Sequence, residues 1–308
     1  MRRVPCILTS IIVLAVASTA FCGCGAKDKE GPETIAEQKA EAPLEKVDVE
    51  DIEVAYRVYG EGETLIVIMG FSGTMDIWSP DLIDNLARSY RVIVFDNRGM
   101  GETTAGTEEF TIERFAADTA GFMDALGIDG SHVLGWSMGT EIAQELTLDY
   151  PDKVNGLILY AADPGGEQAV QPSSDVLKEL EDTSGTVRER GERLLKLLVP
   201  MDWLAEHGEE LEEIFSGSTE QASPQNVARQ AEAMEKWRGS YDRLPEIESD
   251  TMLLTGTDDI LTPPENSLIM VDRIPGAWLV QLQGGGHGVM FQYPEQMARI
   301  ITVFLSSP

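Results

Sequence analysis

The segment Gly135-Trp136-Ser137-Met138-Gly139 constrains this chain more than any other, because it joins an apolar run to a helical pattern through a single bend. Ahead of it, Ser131-His132-Val133-Leu134 reads as a short strand. Behind it, Ile142, Ala143 and Leu146 recur at helical spacing until Tyr150-Pro151 stops the helix. A side chain beside the serine in so tight a bend would collide with backbone, and the two glycines remove that collision. The bend leaves the serine oxygen exposed. It also sets backbone N–H groups of a helix N-terminus where they can stabilise negative charge developing on a nearby oxygen.

Strands of one style surround this bend. Continuous apolar runs at Thr64 to Met69, Arg91 to Phe95, His132 to Leu134, Gly156 to Tyr160, Met252 to Thr255 and Trp278 to Leu282 suit strands buried on both faces of a parallel sheet. Helical intervals separate them, most clearly Thr111 to Leu126, where Ile112, Phe115, Phe122, Met123 and Leu126 share a face, and a closing helix is expected from Glu295 to Phe304. Val47, Val49, Val54, Tyr56 and Val58 alternate on either side of Glu50-Asp51, which predicts an antiparallel hairpin in front of the sheet. Strands alternating with helices imply an open, mostly parallel α/β sheet with ligands beyond the carboxyl ends of its strands, where Ser137 falls.

Two parts of the chain break this rhythm. Residues 163–243 carry charged helical stretches without a buried strand, and read as a helical cap inserted between the core segments 47–162 and 244–308. Leu194, Leu195, Leu197, Leu198, Trp203, Leu204, Met234 and Trp237 are the candidates for the inner face of this cap, with Trp136, Trp203 and Trp237 as candidate pocket residues. At the other end, Arg2 and Arg3 precede an apolar run from Ile7 to Phe21. All three cysteines, Cys6, Cys22 and Cys24, lie in the first 24 residues. Residues 1–23 therefore read as a secretory signal, and the run is short for a membrane-spanning helix of about 20 apolar residues. Phe21-Cys22-Gly23-Cys24 resembles a bacterial lipoprotein signal, with Cys24 as the residue to be lipidated, although Phe21 stands where leucine is usual. Residues 24–46 are rich in Glu, Lys, Ala and Pro and read as a tether, whose root-mean-square reach is about 25 Å. An exported protein anchored in a bacterial membrane through Cys24 is the expectation.

Charge excludes some partners. The 308 residues hold 53 acidic and 23 basic side chains, a formal net charge of −30, which opposes binding to nucleic acid or anionic lipid head groups. Three scattered histidines and a body without cysteine cannot supply a typical zinc set, so no metal or other cofactor is expected.

From Val47 to Pro308 the chain resembles the α/β-hydrolase superfamily. Met69-Gly70-Phe71 stands where the family usually has His-Gly-x, Asp96-Asn97-Arg98-Gly99-Met100-Gly101 matches its Asp-x-Arg-Gly-x-Gly loop, and Gly135 to Gly139 match its nucleophile elbow. Thr255-Gly256-Thr257-Asp258-Asp259 and Gly286-His287-Gly288 match its acid and histidine loops. The resemblance implies a triad of Ser137 as nucleophile, His287 as base and Asp259 as the acid that orients it, with Asp258 the rival acid. His132 lies at the start of the serine's strand, far from its carboxyl end, and His207 in the cap. The resemblance also implies an oxyanion hole formed by the backbone N–H groups of Phe71 and Met138, and loop-bracing roles for Asp96 and Arg98. Met69 in place of the family histidine removes one supporting hydrogen bond. Serine at the elbow argues against dehalogenation and epoxide hydrolysis, which use aspartate there. The expectation is a hydrolase cleaving a small or medium carboxylic ester through an acyl-enzyme. Amide, lactone or carbon–carbon hydrolysis and perhydrolysis are alternatives on the same triad, and a non-catalytic envelope binding protein or a structural lipoprotein are competing classes.

Overall fold

A computed structural model describes residues 42–182, 184–217 and 223–307. Eight strands form one sheet: β1 (Glu45–Val49), β2 (Ile52–Tyr59), β3 (Glu63–Ile68), β4 (Tyr90–Phe95), β5 (Ser131–Trp136), β6 (Val154–Tyr160), β7 (Asp250–Gly256) and β8 (Trp278–Leu282). Their spatial order is β1-β2-β4-β3-β5-β6-β7-β8, antiparallel from β1 to β4 and parallel onward. The helices are α1 (Pro80–Leu86), α2 (Ile112–Ala125), α3 (Met138–Asp149), α4 (Ser174–Glu181), α5 (Val187–Leu198), α6 (Met201–Gly217), α7 (Pro224–Lys236), α8 (Glu265–Val271), α9 (Val289–Gln292) and α10 (Pro294–Leu305). This is the expected α/β-hydrolase fold.

The alternation of side chains along a strand explains why β3 is apolar throughout. Ile66 and Ile68 enter the core shared with α2 and α3, while Leu65 and Val67 enter the opposite core with Leu82, Leu86, Ile301 and Phe304. Each fully buried aliphatic side chain contributes about 1.5–3 kcal/mol of transfer free energy, so both faces reinforce the same register. Thr111 caps α2 by accepting from Arg114 N–H at 2.9 Å, which places the start of that helix one residue after the threonine.

Between β6 and β7 the described residues contain α4 to α7 and no strand. Leu195 and Leu198 of α5 are buried in the core, Leu194, Trp203 and Leu204 pack against the same cluster, and Leu197 is buried outside it. The sheet begins earlier than the sequence indicates. Glu45 and Lys46, read as tether, belong to β1 and pair with Tyr56 and Ala55. Main-chain pairing at a sheet edge needs no apolar side chain, so exposed Glu45 leaves no hydrophobic signal. The short helices α1 and α8 also escaped the sequence reading. The signal segment, Cys24 and most of the tether lie outside the described residues. Among the described residues, no helix is long and apolar enough to cross a membrane.

Candidate active site

Ser137 directly follows β5 and stands at the N-cap of α3 with φ 55° and ψ −124°. A serine at an N-cap ordinarily accepts a backbone N–H, yet this hydroxyl makes no capping bond. Such a backbone costs about 1–3 kcal/mol and persists only where the surroundings impose it. They do so here. Ser137 N–H donates to Tyr160 O at 3.0 Å, and a Cβ on Gly139 would come within 2.2 Å of Ile68 O, so only glycine lets α3 pass this close to β3.

Met138 is the first residue of α3, and its N–H has no intrahelical acceptor four residues back. Across from it, the Met69–Gly73 turn leaves β3. A Cβ on Gly70 would lie 3.0 Å from Trp136 O and 3.2 Å from Ser137 Cβ, so glycine brings Phe71 alongside the elbow. Met69 is buried in the core, and the bracing expected of a histidine comes from the neighbouring loop instead: Asn97 Nδ2 donates to Met69 O at 2.9 Å. Asp96 supports the same turn by accepting from Met75 N–H at 2.7 Å and Glu102 N–H at 3.0 Å.

Asp259 and His287 meet from the loops after β7 and β8. His287 Nδ1 lies 2.9 Å from Asp259 Oδ2, and both residues are only 4% exposed. Asp259 Oδ1 accepts from Leu261 N–H at 2.9 Å and Thr262 N–H at 2.8 Å, which fixes the carboxylate plane. With an acceptor facing Nδ1, the proton of a neutral imidazole resides there and Nε2 is left as the basic nitrogen. The rival Asp258 is turned to Thr257 Oγ1, 2.8 Å away.

The backbone of His287 is held as firmly as its ring. Trp136 Nε1 donates to His287 O at 3.1 Å, and Tyr160 Oη donates to the same oxygen at 2.5 Å while accepting from Met290 N–H at 3.2 Å. Burial drives the Tyr160 phenol well above its usual range, so it stays a donor. Trp136, expected in the pocket, is buried with its ring centroid 5.5 Å from the imidazole, and thus couples the serine's strand to the histidine. Trp237 is buried with Nε1 on Glu145 Oε1 at 2.8 Å, whereas Trp203 stacks on His207 within α6. Neither braces on Tyr160 and Trp136 nor the Asn97 contact were foreseen from sequence; the position of Trp136 directly before the serine was the one available signal.

One turn beyond Ser137 on α3, Glu141 is buried with Oε2 unpartnered among the described residues. Burial, followed by the charge of nearby Asp163, raises its carboxyl well above the ordinary carboxylate range. Burial raises Asp163 too, against a hydrogen bond from Gly165 N–H. A group whose folded pKa is raised keeps its proton in the folded state while the unfolded chain releases it, so stability falls as pH rises above about 4.3 toward the folded value. Glu141→Gln removes that loss. Its melting temperature is expected to exceed wild type by a few degrees at pH 8 and to match it within about 1 °C at pH 4.5, where about 1 kcal/mol corresponds to roughly 2–4 °C. An equal difference at both pH values would contradict a neutral Glu141. Among the described residues, no group of three or more His, Cys, Asp or Glu side chains is placed to hold a metal ion.

The sheet order and the bend at its centre are those of a known fold: the α/β hydrolase fold model matches residues 63–294, and the chain belongs to that family. It is similar to the Pseudomonas syringae pv. syringae protein named "Putative carbamate hydrolase RutD", at 28% identity over 81% of this chain and 96% of that protein. Among solved structures it is similar to a thermophilic esterase from Thermogutta terrifontis, at 27% identity and a TM-score of 0.73 over 86% of this chain and 98% of the esterase. It is also similar to Est816, described as an N-acyl homoserine lactone degrading enzyme, at 26% identity and a TM-score of 0.72 over 84% of this chain and 100% of Est816.

Proposed function

We propose that the protein is an exported serine hydrolase that cleaves a small or medium carboxylic ester through an acyl-enzyme. The observation that carries this reading is the buried Asp259–His287 hydrogen bond, whose imidazole lies 5.5 Å from the ring of Trp136, the residue directly before a serine whose hydroxyl makes no capping bond. Ser137 Oγ attacks the carbonyl carbon while His287 Nε2 takes the hydroxyl proton, and Asp259 stabilises the imidazolium. The tetrahedral oxyanion accepts from Met138 and Phe71 N–H. Collapse expels the alcohol, which leaves with the proton held by His287. Water then attacks the acyl-enzyme with the same imidazole as base, and the carboxylic acid departs.

Lactones and carbamates present the same carbonyl to the serine, and relatives named for esters, lactones and carbamates support an acyl-transfer site. A panel of chromogenic esters of graded acyl length, extended to a lactone and a carbamate, is the test. A fluorophosphonate should add one adduct at Ser137. A folded wild-type protein left unlabelled between about pH 6 and 9 would reject the mechanism. Tight ester binding without turnover, unaffected by Ser137→Ala, would support a binding protein instead.

The lipoprotein-type Phe21-Cys22-Gly23-Cys24 supports attachment of the body to a bacterial membrane through Cys24. The full chain expressed in a bacterial host should partition with membranes and show a lipid-modified N-terminal cysteine by mass. A soluble, unmodified form with its signal removed elsewhere would count against the anchor.

A further inference from the structure

Asn226 and Gln230 stand one turn apart on α7 and reach from the cap onto the two loops behind Ser137. Asn226 Nδ2 donates to Gly99 O at 3.0 Å, and Gln230 Oε1 accepts from Ser72 N–H at 2.6 Å. Ser72 follows Phe71 and has φ 57°, a conformation that an L-residue holds only under external restraint. Its N–H closes the peptide that begins at Phe71, so the acceptor on Gln230 fixes the orientation of the residue assigned to the oxyanion hole.

The other half of the carboxamide is the informative half. A backbone N–H can only donate, so the oxygen of Gln230 must face Ser72 and the NH2 group must face away. Gln230 is wholly buried, and Nε2 has no partner among the described residues. A buried donor left unpaired costs about 1–3 kcal/mol. Holding Ser72 N–H needs only the oxygen, so the buried NH2 group is the part of the side chain that this contact leaves unused. Nε2 shares its carbon with the oxygen that Ser72 holds, so this donor lies beside the oxyanion loop, inside the cap.

We propose that Gln230 is a positioning residue for the oxyanion loop, and that its free carboxamide N–H donates to a second oxygen of the substrate near the scissile carbonyl. The substrate class is then an ester or lactone whose acyl portion bears an ether, hydroxyl or oxo oxygen. This inference rests on the serine-hydrolase reading, and the experiment separates the two.

The full chain is compared with Gln230→Met, which removes acceptor and donor, and Gln230→Glu, which keeps an oxygen for Ser72. One readout is the second-order rate of Ser137 labelling by a simple fluorophosphonate. The other is the ratio of kcat/KM for p-nitrophenyl methoxyacetate to that for p-nitrophenyl butyrate, compared between proteins so that intrinsic ester reactivity cancels. Gln230→Met should label at least about tenfold more slowly than wild type, as expected for a misplaced loop, at an unchanged far-UV spectrum. Gln230→Glu, whose wholly buried carboxyl keeps its proton as that of Glu141 does and so offers Ser72 an oxygen and the substrate an O–H, should restore labelling to within about threefold of wild type. Gln230→Met has no donor, and should lose about tenfold of the methoxyacetate preference, the worth of one hydrogen bond of about 1.4 kcal/mol. Wild-type labelling with an equal rate in Gln230→Met overturns the positioning role. An unchanged ester ratio in Gln230→Met overturns the substrate contact. If Gln230→Met fails to fold, Gln230→Leu carries both readouts. Absence of labelling in wild type defeats the serine-hydrolase reading itself.

Discussion

Ser137→Ala is expected to lower kcat for p-nitrophenyl butyrate by about 10⁴-fold or more while KM changes little, because the substituted hydroxyl forms its bond only as the reaction proceeds. Alanine retains the strained backbone, so the melting temperature should stay within about 2 °C of wild type. The companion substitution at Asp259 is more revealing. In Asp259→Asn the carboxamide oxygen would remain on Leu261 and Thr262 N–H, the two donors that now face Oδ1, and the NH2 group would take the place of Oδ2 against His287. A donor facing Nδ1 forces the imidazole proton onto Nε2, where it blocks acceptance of the serine proton. A loss of about 10⁴-fold in kcat with native folding is expected. Near-wild-type turnover by Asp259→Asn would remove Asp259 from the mechanism, and by Ser137→Ala would remove the acyl-enzyme.

The second large effect concerns stability and lies behind the site. Arg98 is enclosed, with its guanidinium on Asp118 through Nε–Oδ2 at 2.6 Å and Nη2–Oδ1 at 2.7 Å, on Asp51 at 2.7 Å and on Ala105 O at 3.1 Å. The hydrogen bond from Arg98 holds the Asp51 carboxyl far below the ordinary range, so the stabilisation that it adds is present above about pH 4 and fades on acidification below that. Asp118→Ala strands much of a buried positive charge and is expected to cost about 3–5 kcal/mol. That corresponds to a fall in melting temperature of roughly 6–20 °C. Arg98→Met with Asp118→Leu removes the enclosed cation and should recover part of the loss, the remainder reflecting the partners that Asp51 and Arg114 then lack. A cost for Asp118→Ala below about 1 kcal/mol in urea unfolding would show that water reaches the guanidinium. Because Asn97, which holds Met69 O, is the neighbour of Arg98, the single substitution should also slow Ser137 labelling.

What was legible in the sequence follows from how locally each feature is determined. The strands announce themselves because both faces of a parallel strand are buried, as Leu65 to Ile68 show. The elbow and the Asp259 and His287 loops are legible because a tight turn admits few residues, and glycine marks it within five positions. Features that depend on distant partners leave no such trace. Nothing around Gln230 distinguishes it from the other polar residues of α7, since its partner Ser72 lies 158 positions away. The brace from Tyr160 to the His287 carbonyl spans 127 positions, and Trp136, which suggests a pocket by its chemistry, is committed to the same carbonyl. Glu45 in β1 and the short helices α1 and α8 were missed for a related reason, because each is held by edge pairing or packing with no sustained period of its own.

The positive φ at Ser137 has a consequence for descent. At that backbone, glycine is the residue that folding alone would favour, so under the proposed serine-hydrolase mechanism the serine is kept there by selection for the reaction. A lineage released from the need for hydrolysis would therefore be expected to surrender this one hydroxyl early, through a substitution that strengthens the fold, and long before the rest of the architecture decays.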